Sequence, residues 1–183
     1  MLLNHQDFSN NYNGLFHISE EPGIKIFEPR PSPSFFESIT GDVVYAISGS
    51  LLHNYLLPRD CPRITYYPVE TTTTADREFF FGSSVANNVI IVESGWYQRI
   101  QNTILYCYEF STENFTLLDE CAGYYISYKP EIPTKVSPVN DIMAGLLSRN
   151  IELRFTPSLI KLADDVVKSS LNFSIIRMRN AIK

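Results

Sequence analysis

The chain has 183 residues, of which 44% are hydrophobic and 19% charged. This is enough apolar material for a packed core and argues against long disorder, and the length suits one domain of ordinary size. A formal net charge of −5 disfavours a broad footprint for nucleic acid or an anionic membrane, while leaving room for a local basic pocket.

Residues 1–13 are polar and rich in Asn and read as a leader, with a single globular domain expected over 14–183. The opening MLLNHQDFSN has neither the basic nor the apolar region of a signal peptide. No apolar run approaches the roughly 20 residues of a membrane span. The three cysteines, Cys61, Cys107 and Cys121, are odd in number and form no CxxC pair. The histidines, His5, His17 and His53, lie far apart. These patterns argue against a disulfide framework and give no spacing for a metal site. The expectation is a reduced, cytoplasmic protein with no membrane association and no metal.

Along the chain, GLFHIS (14–19) reads as a strand. EPGIKIFEPRPSPS follows, and its prolines at 22, 29, 31 and 33 impose an irregular loop. DVVYAI (42–47) is a second strand, and Ser50 can cap a short helix, LLHNYLL, that ends before Pro58. RITYY is a third strand. The threonines at 71–74 can cap a helix through ADREFFF, with Gly82 as its stop. NVIIVE reads as a strand, SGWYQRI as one or two helical turns, and TILYCYEF, FTLLD and GYYISY as further strands. Ser137-Pro138 reads as a cap followed by a first-turn proline, beginning a helix through VNDIMAGLLSRN. IELRF is a strand, and Thr156-Pro157 repeats the cap signal before a helix with Leu159, Leu162, Ala163, Val166 and Val167 on one face. Several strands follow one another over 88–128 without helical crossovers. The pattern predicts a mixed α+β fold with a largely antiparallel sheet and short flanking helices.

No Walker loop, GxGxxG, HExxH or GxSxG occurs. His17, inside an aromatic and aliphatic strand, either meets a ligand or sits at the core edge on a backbone carbonyl. PRDCPR (58–63) places Arg59 and Arg63 on a turn stiffened by two prolines. Their planar forks suit phosphate or carboxylate; alternatively Asp60 pairs with one of them and the turn is a brace. Cys61 between them is either an activated thiolate or a small buried residue. Glu93, Glu109 and Glu131 lie in or beside strands and are candidate general bases. Tyr124, Tyr125 and Tyr128 can stack on a planar ligand or simply pack.

The series LFHIS, VVYAIS and GYYISYKPEI resembles the motif series of the ADP-ribosyltransferase-like fold, in its histidine–tyrosine–glutamate branch. The resemblance implies a split sheet in which His17 grips a nicotinamide ribose and Tyr45 stacks on nicotinamide, both facing one cleft. It puts the family glutamate at Tyr124, with Glu109 on the neighbouring strand as the nearest substitute acid. Arg59 and Arg63 would hold phosphate. The ligand implied is NAD or ADP-ribose, a nucleotide-like small molecule, and turnover is expected to be slow or absent. Over nearly its full length the chain also resembles an uncharacterised bacterial family marked by PRDCPR in the middle and SIIRMRN at the end, which implies no activity. Two other readings stand beside these. One is a non-enzymatic interaction or structural domain; the other is a cysteine-dependent hydrolase using Cys61 with His17 or His53.

Overall fold

A computed structural model describes residues 11–182. Of the leader expected over 1–13, residues 1–10 lie outside the described residues, and residues 11–13 are exposed. In chain order the strands are β1 (Leu15–Ser19), β2 (Val44–Ser48), β3 (Arg63–Tyr67), β4 (Asn88–Glu93) and β5 (Leu105–Phe110), then β6 (Thr116–Asp119), β7 (Tyr124–Ser127), β8 (Lys135–Val139), β9 (Ile151–Thr156) and β10 (Asn172–Ile176). The helices are α1 (Thr74–Phe81), α2 (Tyr97–Asn102), α3 (Ile142–Leu147) and α4 (Ile160–Val166), with 3₁₀ turns at Gly49–Tyr55, Ser94–Trp96 and Met178–Asn180. The chain forms two compact units, residues 1–55 with 104–140 and residues 56–103 with 141–183. It passes from one to the other three times, and no shift in composition marks the crossings.

The first unit is a six-stranded sheet in the order β6-β7-β2-β1-β5-β8, with every neighbouring pair antiparallel. On one face Leu15, Val44, Ala46, Phe110 and Phe115 form a core, with Phe27 and Tyr125 packed against it. Phe27 comes from the proline-rich loop. A backbone bridge to Glu131 ties it down, and a second bridge joins Arg30 to Val43. The loop thus satisfies its backbone at the few positions where proline leaves an N–H to donate. Gly49 lies so close to the leader that a Cβ there would sit 2.1 Å from the Asn11 carbonyl oxygen.

The helix expected from Ser137-Pro138 is not formed. Residues Lys135–Val139 are instead the edge strand β8, with Ser137 opposite Cys107 and Pro138 opposite Tyr106. An edge strand tolerates a proline because only one side of it must supply ladder donors. The helix begins after Asp141, whose carboxylate accepts the Ala144 N–H at 2.9 Å.

The second unit is a four-stranded sheet in the order β10-β3-β4-β9. The β4–β9 pair is parallel and the other two are antiparallel. NVIIVE is buried along nearly its whole length, as a central strand covered on both faces must be. Ile64, Tyr66, Val89 and Ile91 pack against Phe80 and Phe81 of α1 and against Leu159 and Val166 from the α4 segment. Helix α1 has the expected ends. Thr73 Oγ1 accepts the Asp76 N–H at 3.2 Å, and Gly82 stops the helix at φ 56°, donating its N–H to the Glu78 carbonyl.

Helix α4 starts later than Thr156-Pro157 suggests. Thr156 closes β9, and the Ser158 hydroxyl accepts the Ile160 N–H at 3.3 Å. Leu159, Leu162, Ala163 and Val166 face the core as the spacing predicts, but Val167 is 53% exposed because the helix has ended. FSIIRMRN resolves into β10 and the 3₁₀ turn that follows it. The architecture is therefore α+β with two mostly antiparallel sheets and short helices.

Candidate functional site

The side-chain period of two and the strand register decide which candidate residues meet. Phe16 on β1 lies opposite Ile47 on β2, so these two share a face of the six-stranded sheet. Tyr45, two residues before Ile47, projects to that same face, whereas His17, next to Phe16, projects to the other. The resemblance implied one cleft for His17 and Tyr45. They do lie on neighbouring strands, but on opposite faces.

His17 sits on the side of the aromatic core. Its ring is 4.9 Å from that of Phe27, and its Nδ1 donates to the Tyr45 carbonyl oxygen at 3.1 Å. Of the two readings open for this histidine, the contacts are those of the core-edge one.

On the opposite face the structure gathers tyrosines. Tyr124 on β7 lies opposite Ile47 and therefore shares the face of Tyr45, with ring centroids 6.0 Å apart. Tyr55, from the 3₁₀ turn after β2, adds a third ring 6.2 Å from Tyr124, and the Tyr55 and Tyr124 hydroxyls are hydrogen-bonded. The Tyr45 hydroxyl donates to Ser32 Oγ at 2.6 Å, since the Ser32 proton goes to the Ser34 carbonyl. All three rings are half-buried. Tyr55 was missed from sequence because it lies in a segment without strand alternation. Its only cue was an aromatic within the short helical run LLHNYLL.

Glu109 is on the tyrosine face too, opposite Phe16. It is not on a strand next to Tyr124, as a substitute acid was expected to be. Three inter-strand spacings, roughly 14 Å, separate β5 from β7. Its Oε1 accepts from Asn11 Nδ2 at 3.2 Å. Glu131 is buried and accepts the Ser127 hydroxyl at 2.6 Å, a structural role.

The remaining candidates belong to the four-stranded unit. Arg63 is 2% exposed and donates from Nη1 to the Cys61 carbonyl at 2.9 Å, which makes it an internal brace. Arg59 is exposed, and its carbonyl accepts from Arg177 Nε at 3.2 Å. Cys61 is fully buried. Burial pushes its thiol up to about 12, although Arg63 acts in the opposite direction. An attacking cysteine must be a thiolate near neutral pH, so the hydrolase reading fails at its nucleophile. Glu93, also fully buried, accepts the Ile182 N–H on both oxygens at 2.9 and 3.2 Å.

A network that sequence reasoning missed runs across β9. The Arg154 Nε donates to Glu152, and its Nη1 donates to the Tyr66 hydroxyl and the Phe80 carbonyl. Hydrogen bonds from Arg154 and from the Ser84 hydroxyl hold the Glu152 carboxyl below its ordinary range. The E-L-R spacing, which puts opposite charges on one face of a strand, was the available signal. Among the described residues no group of three or more His, Cys, Asp or Glu could hold a metal ion, and no helix is long and apolar enough to cross a membrane. None of Cys61, Cys107 and Cys121 forms a disulfide.

The chain belongs to a Family of unknown function (DUF6886), whose sequence profile matches residues 16–181. The match takes in both the PRDCPR turn and SIIRMRN, in keeping with the resemblance to an uncharacterised family. No curated protein and no solved structure matches the chain.

Proposed function

We propose that this member of the family binds a planar, ribose-bearing ligand of the NAD or ADP-ribose type on the tyrosine face of its six-stranded unit, and does not turn it over at an enzymatic rate. The observation that carries the reading is the convergence of Tyr45, Tyr55 and Tyr124 from three separate elements onto one face. Half-buried rings keep part of their π-surface in water, where stacking a base contributes about 1–3 kcal/mol. The hydroxyls beside them offer partners for ribose oxygens. Catalysis at an NAD ribose requires stabilising the positive charge that develops as nicotinamide leaves. Tyr124, where the resembling family has glutamate, supplies no carboxylate, and Glu109 is three strands away. A reduced, cytoplasmic setting belongs to this reading, supported by three cysteines that form no disulfide.

The test is calorimetric titration with NAD, ADP-ribose and nicotinamide. Tyr45→Ala should weaken binding by about 1–3 kcal/mol, and His17→Ala, on the other face, should leave it unchanged. NAD hydrolysis on the order of 1 per second or faster would overturn the claim of no turnover. Glu109→Gln would then identify the acid.

The second reading is a non-enzymatic interaction or structural domain. It is favoured by the separation of His17 from Tyr45 on opposite faces, and a titration series in which none of the three ligands binds decides for it.

A further inference from the structure

The proline-rich segment after β1 reaches the tyrosine face as a closed loop. Arg30 and Val43 exchange backbone hydrogen bonds at 3.0 and 2.9 Å, which pinch the chain into a neck. Residues 31–42 stand out from that neck, all within the six-stranded unit. Twelve residues with their ends held together have the length and form of an Ω-loop. None of the twelve is buried, nine are exposed, and Phe35 is 88% exposed. A loop that buries so little apolar surface depends on its polar contacts.

Among the described residues, the hydrogen bonds that tie this loop down end on two tyrosine hydroxyls, those of Tyr45 and Tyr128. Ser32 Oγ accepts the Tyr45 proton at 2.6 Å and the Ser34 N–H at 3.3 Å, and gives its own proton to the Ser34 carbonyl. The Tyr128 hydroxyl, one residue beyond β7, accepts the Thr40 N–H and donates to the Ser38 carbonyl, each at 3.4 Å. Within the loop the Ile39 N–H donates to the Phe36 carbonyl at 3.1 Å. Pro31 and Pro33 restrict the backbone on both sides of Ser32, so the serine moves with its segment. A phenol has one proton to give. Tyr45 gives it to Ser32, and a ligand oxygen that accepts from Tyr45 must first displace Ser32.

We propose that residues 31–42 are a lid on the tyrosine face, hinged at the Arg30–Val43 neck, and that Ser32 holds the place on Tyr45 that a ligand hydroxyl takes. The gating role rests on the tyrosine face being a binding site; the hinge and its two latches rest on the loop alone. A closed lid weakens apparent affinity in proportion to the fraction of molecules in which it is open. Breaking one latch raises that fraction by the worth of one net hydrogen bond, roughly 2- to 10-fold.

The experiment is backbone amide hydrogen exchange on the full chain and on two variants, Ser32→Ala and Tyr128→Phe. The deciding readings are crossed, because each substitution also frees an amide beside it. Ser32→Ala should speed exchange at Ile39 and Thr40, and Tyr128→Phe should speed it at Ser34, each by roughly 2- to 10-fold. The Arg30 and Val43 amides of the neck should keep their native rates in both variants. Effects confined to the amide next to each substitution, or neck amides that speed up together with the loop, would overturn the lid. Calorimetric titration with ADP-ribose tests the gate. Both variants should bind ADP-ribose more tightly than the native protein, by the factor read from exchange, and an affinity equal to that of the native protein would overturn the gating role. If none of the three proteins binds ADP-ribose, the gating role falls with the tyrosine-face reading, while the crossed exchange pattern still decides the lid.

Discussion

Tyr66 and Tyr124 are both strand tyrosines, one in each unit, and their surroundings differ in kind. Tyr66 is 2% exposed, donates to the Phe80 carbonyl at 2.9 Å and accepts from Arg154. Burial pushes its phenol up to about 12, against the opposing effect of Arg154. Tyr124 is half-buried, and its hydroxyl meets another tyrosine. The same contrast extends to other groups. In the four-stranded unit Glu93 is bound to a backbone amide, Asp76 to the Ser170 amide and hydroxyl, and Glu152 to Ser84 and Arg154. A buried charge persists only where such partners compensate its lost hydration. In this unit the apolar core supplies the packing, and its ionisable groups are tied to neighbouring structural partners. The tyrosine face combines ring surface with partial access to water, which is what recognition needs.

Large-to-small substitution tests this contrast most strongly. Tyr66→Ala should lower stability by about 3–5 kcal/mol, measured by denaturant unfolding. Tyr124→Ala should cost about 1 kcal/mol, because part of its surface was never removed from water. Equal losses would erase the distinction between the two units.

A smaller effect should appear at alkaline pH. The Cys61 thiol is neutral in the fold, pushed up to about 12 by burial, and ionises from about 8.5 once unfolded. The stabilisation is fully present below about pH 8.5 and is lost as pH rises toward the folded value, at about 1.4 kcal/mol per pH unit. Tyr66 adds its own loss above about pH 10. Cys61→Ala should flatten the fall in stability between about pH 9 and 10. A slope that survives Cys61→Ala would mean that the thiol is not the group responsible.

The smallest effect concerns the start of α3. Asp141→Ala should cost about 1 kcal/mol through the lost cap, and Ser137→Ala less than about 0.5 kcal/mol. The reverse order in thermal unfolding would restore a helix beginning at Ser137.

Much of the element order was legible because its causes are local. Short apolar or aromatic runs marked β1, β3 and β4, alternation marked β5, and the Thr73 cap and Gly82 stop bounded α1 within a few residues. Capping chemistry misled where two signals competed. Ser137-Pro138 has the local form of a helix start, yet hydrogen bonds from β5 draw Lys135–Val139 into the sheet, and Asp141 offers an equally good cap a few residues later. Thr156 likewise looks like a cap, but it continues the parallel pairing with β4, opposite Glu93.

The sequence by itself determined the α+β class, most strand positions and the identity of the tyrosine-rich strand, because backbone propensity and side-chain period act over short range. Only the tertiary structure decided which of those residues meet. With Phe16 opposite Ile47, His17 and Tyr45 stand back to back; a register shifted by one residue would have put them side by side. The Arg59 carbonyl gained Arg177 as its donor through a contact spanning 118 positions, and Arg63 went to the interior. Such contacts arise when strands pair and loops close within a unit, and nothing in the local chain encodes the distant partner.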